Sequence, residues 1–201
     1  MLTVSIQAGG ASSRMGQDKA LMPFLGEPLI NRVLERVRDL ADEVLVTTNN
    51  PSEYAFLRVP LFEDVIKDRG ALGGLYTALS VAKSPYVAVV ACDMPFVNPD
   101  ILAFCHHLLV EKDIDAVIPR TEHGLEPFHA VYRRLTCLPA VNSAIQSGKW
   151  RLISWLPEVK TYELSQEEIL PLDPDGIAFW NINNLQEFLK AEQLIKEKRK
   201  T

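Results

Sequence analysis

Between residues 9 and 19 the chain gathers three glycines (Gly9, Gly10, Gly16), two hydroxyls (Ser12, Ser13) and two cations (Arg14, Lys19). Backbone N–H groups at such glycines can turn inward as an anion-binding concavity, and the two cations add full positive charge. That is the chemistry of a triphosphate. The familiar phosphate loops fail on spacing. A G-x-x-x-x-G-K-[ST] loop would need one residue fewer between Gly10 and Gly16, with a lysine directly after the second glycine. A G-x-G-x-x-G fingerprint is not made by Gly9, Gly10 and Gly16. A tightly packed strand-to-helix turn is the competing account, and two cations plus two hydroxyls weigh against it.

A carboxylate follows in Cys92-Asp93-Met94-Pro95-Phe96, directly after an apolar run. At the C-terminal end of a central strand Asp93 would face the same crevice as the first loop. Mg²⁺ on phosphates takes one or two such carboxylates, so Asp93 is the expected metal ligand. Its alternative is a turn or cap residue before Pro95. In Glu63-Asp64 and Gly70-Ala71-Leu72-Gly73-Gly74, the glycines imply close backbone approach, and Asp64 could accept hydrogen bonds from a base or ribose. Helix packing beside a solvated charge cluster is the competing account. His129 suits a satisfied core position better than a catalyst. Asn181 and Asn183 flank Ile182; on a strand both amides share one face and could meet a metal or polar substrate, and otherwise they cap the last helix.

These residues need elements to hold them. Short apolar runs at 2–7, 43–48, 86–91 and 116–119 alternate with helix-patterned segments at 28–40, 72–82 and from Asn98-Pro99 to Glu111. That alternation predicts βαβ units: an α/β, Rossmann-like, doubly wound and mainly parallel sheet with helices on both faces. Beyond residue 119 the pattern loosens into a strand at 126–134, a helix at 135–145 and an amphipathic helix at 183–198.

The 201 residues are 47% apolar and 23% charged, as expected of a folded globular chain. With 21 basic and 26 acidic residues the formal charge is −5, which argues against broad nucleic-acid or membrane binding. No signal-peptide pattern and no spanning apolar run is visible, so a cytoplasmic location is expected. Cys92, Cys105 and Cys137 are odd in number and lack C-x-x-C spacing, which points to neither disulfides nor zinc. A single domain over 1–201 is expected, its nucleotide-binding part at about 1–100 and its acceptor-binding part at about 101–201.

Taken in order, Gln7-Ala8-Gly9-Gly10, Ser13-Arg14-Met15-Gly16, Asp18-Lys19, Leu72-Gly73-Gly74, Cys92-Asp93-Met94-Pro95, Pro127-Phe128-His129-Ala130 and Asn181-Ile182-Asn183 form a series. The series resembles the molybdenum cofactor guanylyltransferases, the MobA-like nucleotidyltransferases, whose fold is of the nucleotide-diphospho-sugar transferase type. The resemblance covers nearly the whole chain. It implies transfer of GMP from GTP to molybdopterin with Mg²⁺, giving the guanine dinucleotide cofactor and pyrophosphate. It also implies transient contact with molybdenum-insertion proteins and acceptor molybdoenzymes. Carried over, Gln7, Ala8, Gly9 and Gly10 meet the nucleotide through backbone, Lys19 and Arg14 meet phosphate, and Asp93 holds Mg²⁺. Asp64 and Gly73 lie near the nucleoside, and Asn181 and Asn183 face the metal or pterin side. Three positions depart from the pattern: Gln7 replaces the usual Leu, Thr47 replaces a nucleotide-contacting Asn of some relatives, and Ala71 replaces Pro. Ala8-Gly9-Gly10 resembles the guanine-preferring form, since cytidylyl relatives usually carry a second Ala that would crowd a purine. A cytidylyl- or sugar-phosphate nucleotidyltransferase, or a non-catalytic nucleotide-binding regulator, remains the alternative.

Overall fold

A computed structural model describes residues 1–9 and 18–198, so the roles expected of Gly10, Ser12, Ser13, Arg14 and Gly16 lie outside the described residues. In chain order the elements are β1 (Leu2–Gln7), β2 (Pro23–Phe24), β3 (Glu27–Pro28), α1 (Leu29–Val37), β4 (Glu43–Thr47), α2 (Pro51–Tyr54), β5 (Leu61–Phe62), α3 (Gly70–Val81) and β6 (Tyr86–Ala91). They continue with α4 (Pro99–Glu111), β7 (Ala116–Thr121), β8 (Gly124–Leu125), β9 (His129–Arg133), α5 (Arg134–Gln146), β10 (Thr161–Leu164), α6 (Gln166–Ile169) and α7 (Leu185–Lys198).

The main sheet runs β5-β4-β1-β6-β9-β7-β10. Strands β5, β4, β1 and β6 are mutually parallel, as are β7 and β10, while β9 lies antiparallel between β6 and β7. The connection through α4 leaves a one-strand gap, which the chain fills by turning back through β8. From β1 the chain winds outward through α1 to β4, then returns through α3 to β6 on the other side. The switch point therefore opens between the C-terminal ends of β1 and β6, where open α/β sheets bind ligands.

Alternation along β1 sends Leu2, Val4 and Ile6 into a core with α1 and α4, whose buried Ile30, Val33, Leu34, Ile101 and Cys105 recur at helical spacing. On the opposite face Val87 and Val89 of β6 pack with Leu72, Leu75 and Leu79 of α3 and Val141 and Ile145 of α5. Thus both faces of the sheet are covered, as the continuous apolar strands required. In a third cluster α7 contributes Phe188, Ala191 and Ile195 against Phe24, Leu29, Phe96 and Ile182, bringing the C-terminal helix back onto the first half of the chain.

Local signals explain several boundaries. Asn98 caps α4 by accepting the Asp100 N–H at 2.9 Å, with Pro99 in the first turn. The helix expected at 28–40 divides into α1 and a 3₁₀ turn, Arg38–Leu40, a common tightening at a helix end. The strand expected at 126–134 begins only at His129, because a turn in which the His129 N–H donates to the Glu126 carbonyl precedes it.

Candidate active site

The ends of β1, β4 and β6 are stitched by backbone. The Ala8 N–H donates to the Thr47 carbonyl at 2.8 Å, and the Cys92 N–H to the Gln7 carbonyl at 3.1 Å. This holds Ala8 and Gly9 beside Cys92 and Asp93. A cleft of about 380 Å³ lies there, lined by Gln7–Gly9, Asp18–Ala20, Ala91–Asp93, Phe128, Asn181 and Asn183. A β-carbon on Gly9 would meet no atom of the described residues within 4 Å, and Gly9 lines the cleft.

Asp93 is half-buried; desolvation pushes its carboxyl pKa up, while the charge of Lys19 pulls it down. The two therefore sense each other across the cleft. A half-buried carboxylate beside a lysine, in a cleft open to phosphates, suits a divalent cation. Among the described residues no group of three or more His, Cys, Asp or Glu could cage a metal. Such a donor set fits Mg²⁺ held by one carboxylate, phosphates and water, and does not fit a protein-caged metal.

Asn181 and Asn183 reach the cleft by tertiary means. The Ile182 N–H donates to the Asp93 carbonyl at 3.0 Å, and the Ile182 side chain is buried in the third core cluster. Its two neighbours therefore turn the other way, into the cleft. No strand is assigned at 181–183, yet the expected sharing of one face holds. The helix cap is Asn184 instead: its Oδ1 accepts the Glu187 N–H at 2.9 Å. Asn181 and Asn183 also border a larger cavity of about 700 Å³ whose walls include Phe179, Trp180, Glu126 and Asp173. Trp180 is held by stacking on Phe96 at 5.5 Å, and Phe179 rests against His129 at 4.8 Å.

Three expected nucleotide contacts do not line the cleft. Thr47 is Gln7's neighbour in the sheet register and is buried, with its hydroxyl unpartnered among the described residues. Asp64 is bonded reciprocally to Asn49: its carboxylate accepts from the Asn49 amide at 2.9 Å, and its N–H donates back at 3.3 Å. Gly73 is tight for reasons internal to the protein, since a β-carbon there would lie 2.9 Å from the Ile66 carbonyl oxygen and 3.0 Å from the Arg69 β-carbon. At Gly74 a β-carbon would fall 2.1 Å from the Gln7 Oε1. The Gln7 side chain thus occupies the space that Gly74 leaves, donating from Nε2 to the Gly74 carbonyl at 3.3 Å and the Ser5 hydroxyl at 3.2 Å. Its carboxamide packs into α3, leaving backbone for the cleft. His129 is fully buried, with Nε2 at 3.2 Å from the Asn98 carbonyl, and burial lowers its pKa to about 4. It stays neutral and serves as core.

Asp18, Cys92 and Phe128 line the cleft without having been singled out as site residues. Their signal was present, since Asp18 precedes Lys19 and the other two sit inside quoted motifs.

A doubly wound sheet whose switch point opens on a glycine backbone, a lysine and a half-buried aspartate is that of a nucleotidyltransferase fold. The chain matches the MobA-like NTP transferase domain over residues 4–160, and it belongs to that family. It is 33% identical to the probable molybdenum cofactor guanylyltransferase of Peptoclostridium acidaminophilum, covering 96% of this chain and 90% of that protein. The molybdenum cofactor guanylyltransferase of Desulfosudis oleivorans is 32% identical, with 98% of each chain covered. Among solved structures, molybdopterin-guanine dinucleotide biosynthesis protein A from Archaeoglobus fulgidus superposes with a TM-score of 0.85 at 25% identity, over 97% of this chain and 99% of that one. The fold is shared more widely, as with a cytidylyltransferase from Thermus thermophilus at a TM-score of 0.67 and 16% identity, covering 96% and 98%. The chain is an enzyme of the nucleotidyltransferase type. No helix among the described residues is long and apolar enough to cross a membrane.

Proposed function

We propose that this enzyme transfers GMP from GTP to the phosphate of molybdopterin, with Mg²⁺, releasing pyrophosphate. The observation that carries the reading is the pair of adjoining compartments: a cleft with Gly9, Lys19 and Asp93, and a larger cavity reached past Asn181 and Asn183, which border both. A donor nucleotide in the first and an acceptor ring system against Trp180 and Phe179 in the second would meet at the two asparagines. The names of the relatives support the same pairing of substrates.

Attack of an ionised phosphate on the α-phosphorus needs no general base, because the nucleophile is already deprotonated. What it needs is alignment and neutralisation of growing negative charge. Lys19 supplies a positive charge in the lining of the cleft, and the backbone of Ala8 and Gly9 lets the nucleoside approach closely. Arg14 acts on the same phosphates. Asp93 would hold Mg²⁺, which neutralises the triphosphate when bound. Asn181 and Asn183 present amides to the junction where the acceptor phosphate enters, and Phe128 walls the cleft against water.

The test is a panel of GTP, CTP, ATP and UTP with molybdopterin and Mg²⁺, read by product mass. Guanine dinucleotide and pyrophosphate are expected. Cytosine dinucleotide, or transfer to a sugar phosphate in preference, overturns the choice of substrate. Tight nucleotide binding with no product from any pair overturns catalysis.

A further inference from the structure

Behind the lysine of the cleft stands a buried tyrosine that no part of the reaction uses. Tyr54, at the end of α2, is fully buried in the α1-side core, and its hydroxyl donates to Asp18 Oδ2 at 2.5 Å. The other oxygen of Asp18 accepts the Ala20 N–H at 3.0 Å, while the Asp18 carbonyl accepts the Leu21 N–H at 3.1 Å. Asp18 is thereby the cap of the 3₁₀ turn Lys19–Leu21. Each carboxylate oxygen already has a donor, so Asp18 borders the cleft as a group tied to the frame. Burial and the neighbouring carboxylate both favour the neutral phenol, which keeps the Tyr54 hydroxyl a donor.

We infer that Tyr54 is a positioning residue for nucleotide binding: through Asp18 it fixes the turn that presents Lys19 to the phosphates. The inference rests on the nucleotide reading above and goes beyond it. A lysine on a loose turn loses backbone and side-chain freedom when it meets its ligand, and a turn fixed beforehand removes part of that cost. The tie is charge-assisted and part-buried, with its donor in the core, a setting in which one hydrogen bond counts for more than at the surface. It joins α2 to the start of the 3₁₀ turn across 36 positions of sequence.

The variant Tyr54→Phe keeps the ring in the core and deletes only the donor. Its affinity for Mg²⁺–GTP, measured by calorimetry, is expected to fall about tenfold. In a Lys19→Ala background the same change is expected to have no effect, because Tyr54 acts through Lys19. Exchange of the Ala20 and Leu21 amides, followed by mass spectrometry without nucleotide, should quicken in Tyr54→Phe. Asp18→Ala breaks the link from its other end and should reproduce these results if Tyr54→Phe fails to fold. Unchanged affinity in Tyr54→Phe, or losses that multiply with Lys19→Ala, overturns the role of Tyr54 alone. Failure of the unaltered protein to bind any nucleotide overturns the nucleotide reading and this role with it.

Discussion

Gly9 and Gly74 look alike in sequence, each in a glycine pair, and the structure uses them in opposite ways. At Gly9, which lines the cleft, an added β-carbon meets no atom of the described residues. At Gly74 it would fall 2.1 Å from the Gln7 carboxamide, so the room is filled by the protein itself. Asp93 and His129 divide the same way: the carboxylate lines the cleft, while the imidazole is sealed in the core. A motif therefore mixes residues that face a ligand with residues that hold the frame, and residue type alone does not sort them.

The sharpest separation should come from Asp93. Asp93→Asn is expected to lower Mg²⁺-dependent transfer about a hundredfold or more. Its folded pKa is raised by burial, so the charged form disfavours folding, and the penalty grows as pH rises through that value. The variant should therefore melt higher than the unaltered protein at pH 7, with the gain vanishing at pH below the ordinary value of 3.8. A lower melting temperature at pH 7 would place Asp93 with the frame.

Next in size, Gly74→Ala should destabilise by about 1–3 kcal/mol, since the β-carbon displaces a side chain in a filled space. Adding Gln7→Ala should recover part of that loss in a denaturant titration. Independent, additive losses would break the account of the Gln7–Gly74 interlock. Gly9→Ala should leave the melting temperature unchanged within measurement and weaken GTP about tenfold more than CTP. Equal loss for both nucleotides would mean that Gly9 does not select the base.

The smallest effect at neutral pH belongs to His129. Its folded pKa of about 4 lies below the ordinary 6.5, so it adds nothing above 6.5 and costs stability as pH falls toward 4. His129→Gln should flatten the acid limb of the stability curve in that window. A bell-shaped activity profile that lost its acid limb in this variant would instead make the imidazole part of the chemistry.

Most of the frame was legible because apolar faces are local. Runs of apolar residues gave β1 and β6 to the residue, and helical spacing with an Asn-Pro start gave α4. Two-residue β5 and the edge strand β10 were not legible, since a strand reading Thr-Tyr-Glu-Leu shows little of its partner. The antiparallel insertion of β9 escaped for the same reason: direction in a sheet is set by the neighbour, not by the strand.

The site divides likewise. From sequence alone came the glycine and lysine loop, Asp93 at a strand end, the paired asparagines and the family likeness, because those depend on residue type and order. Tertiary structure decided that Gln7 serves α3 across 67 positions, that Tyr54 ties down Asp18, and that Asn181 and Asn183 return to Asp93 through one backbone hydrogen bond. The physical reason is distance along the chain. A pattern within a dozen residues reports which face is apolar, whereas the partner that fills a space or accepts a proton is chosen only when remote segments pack.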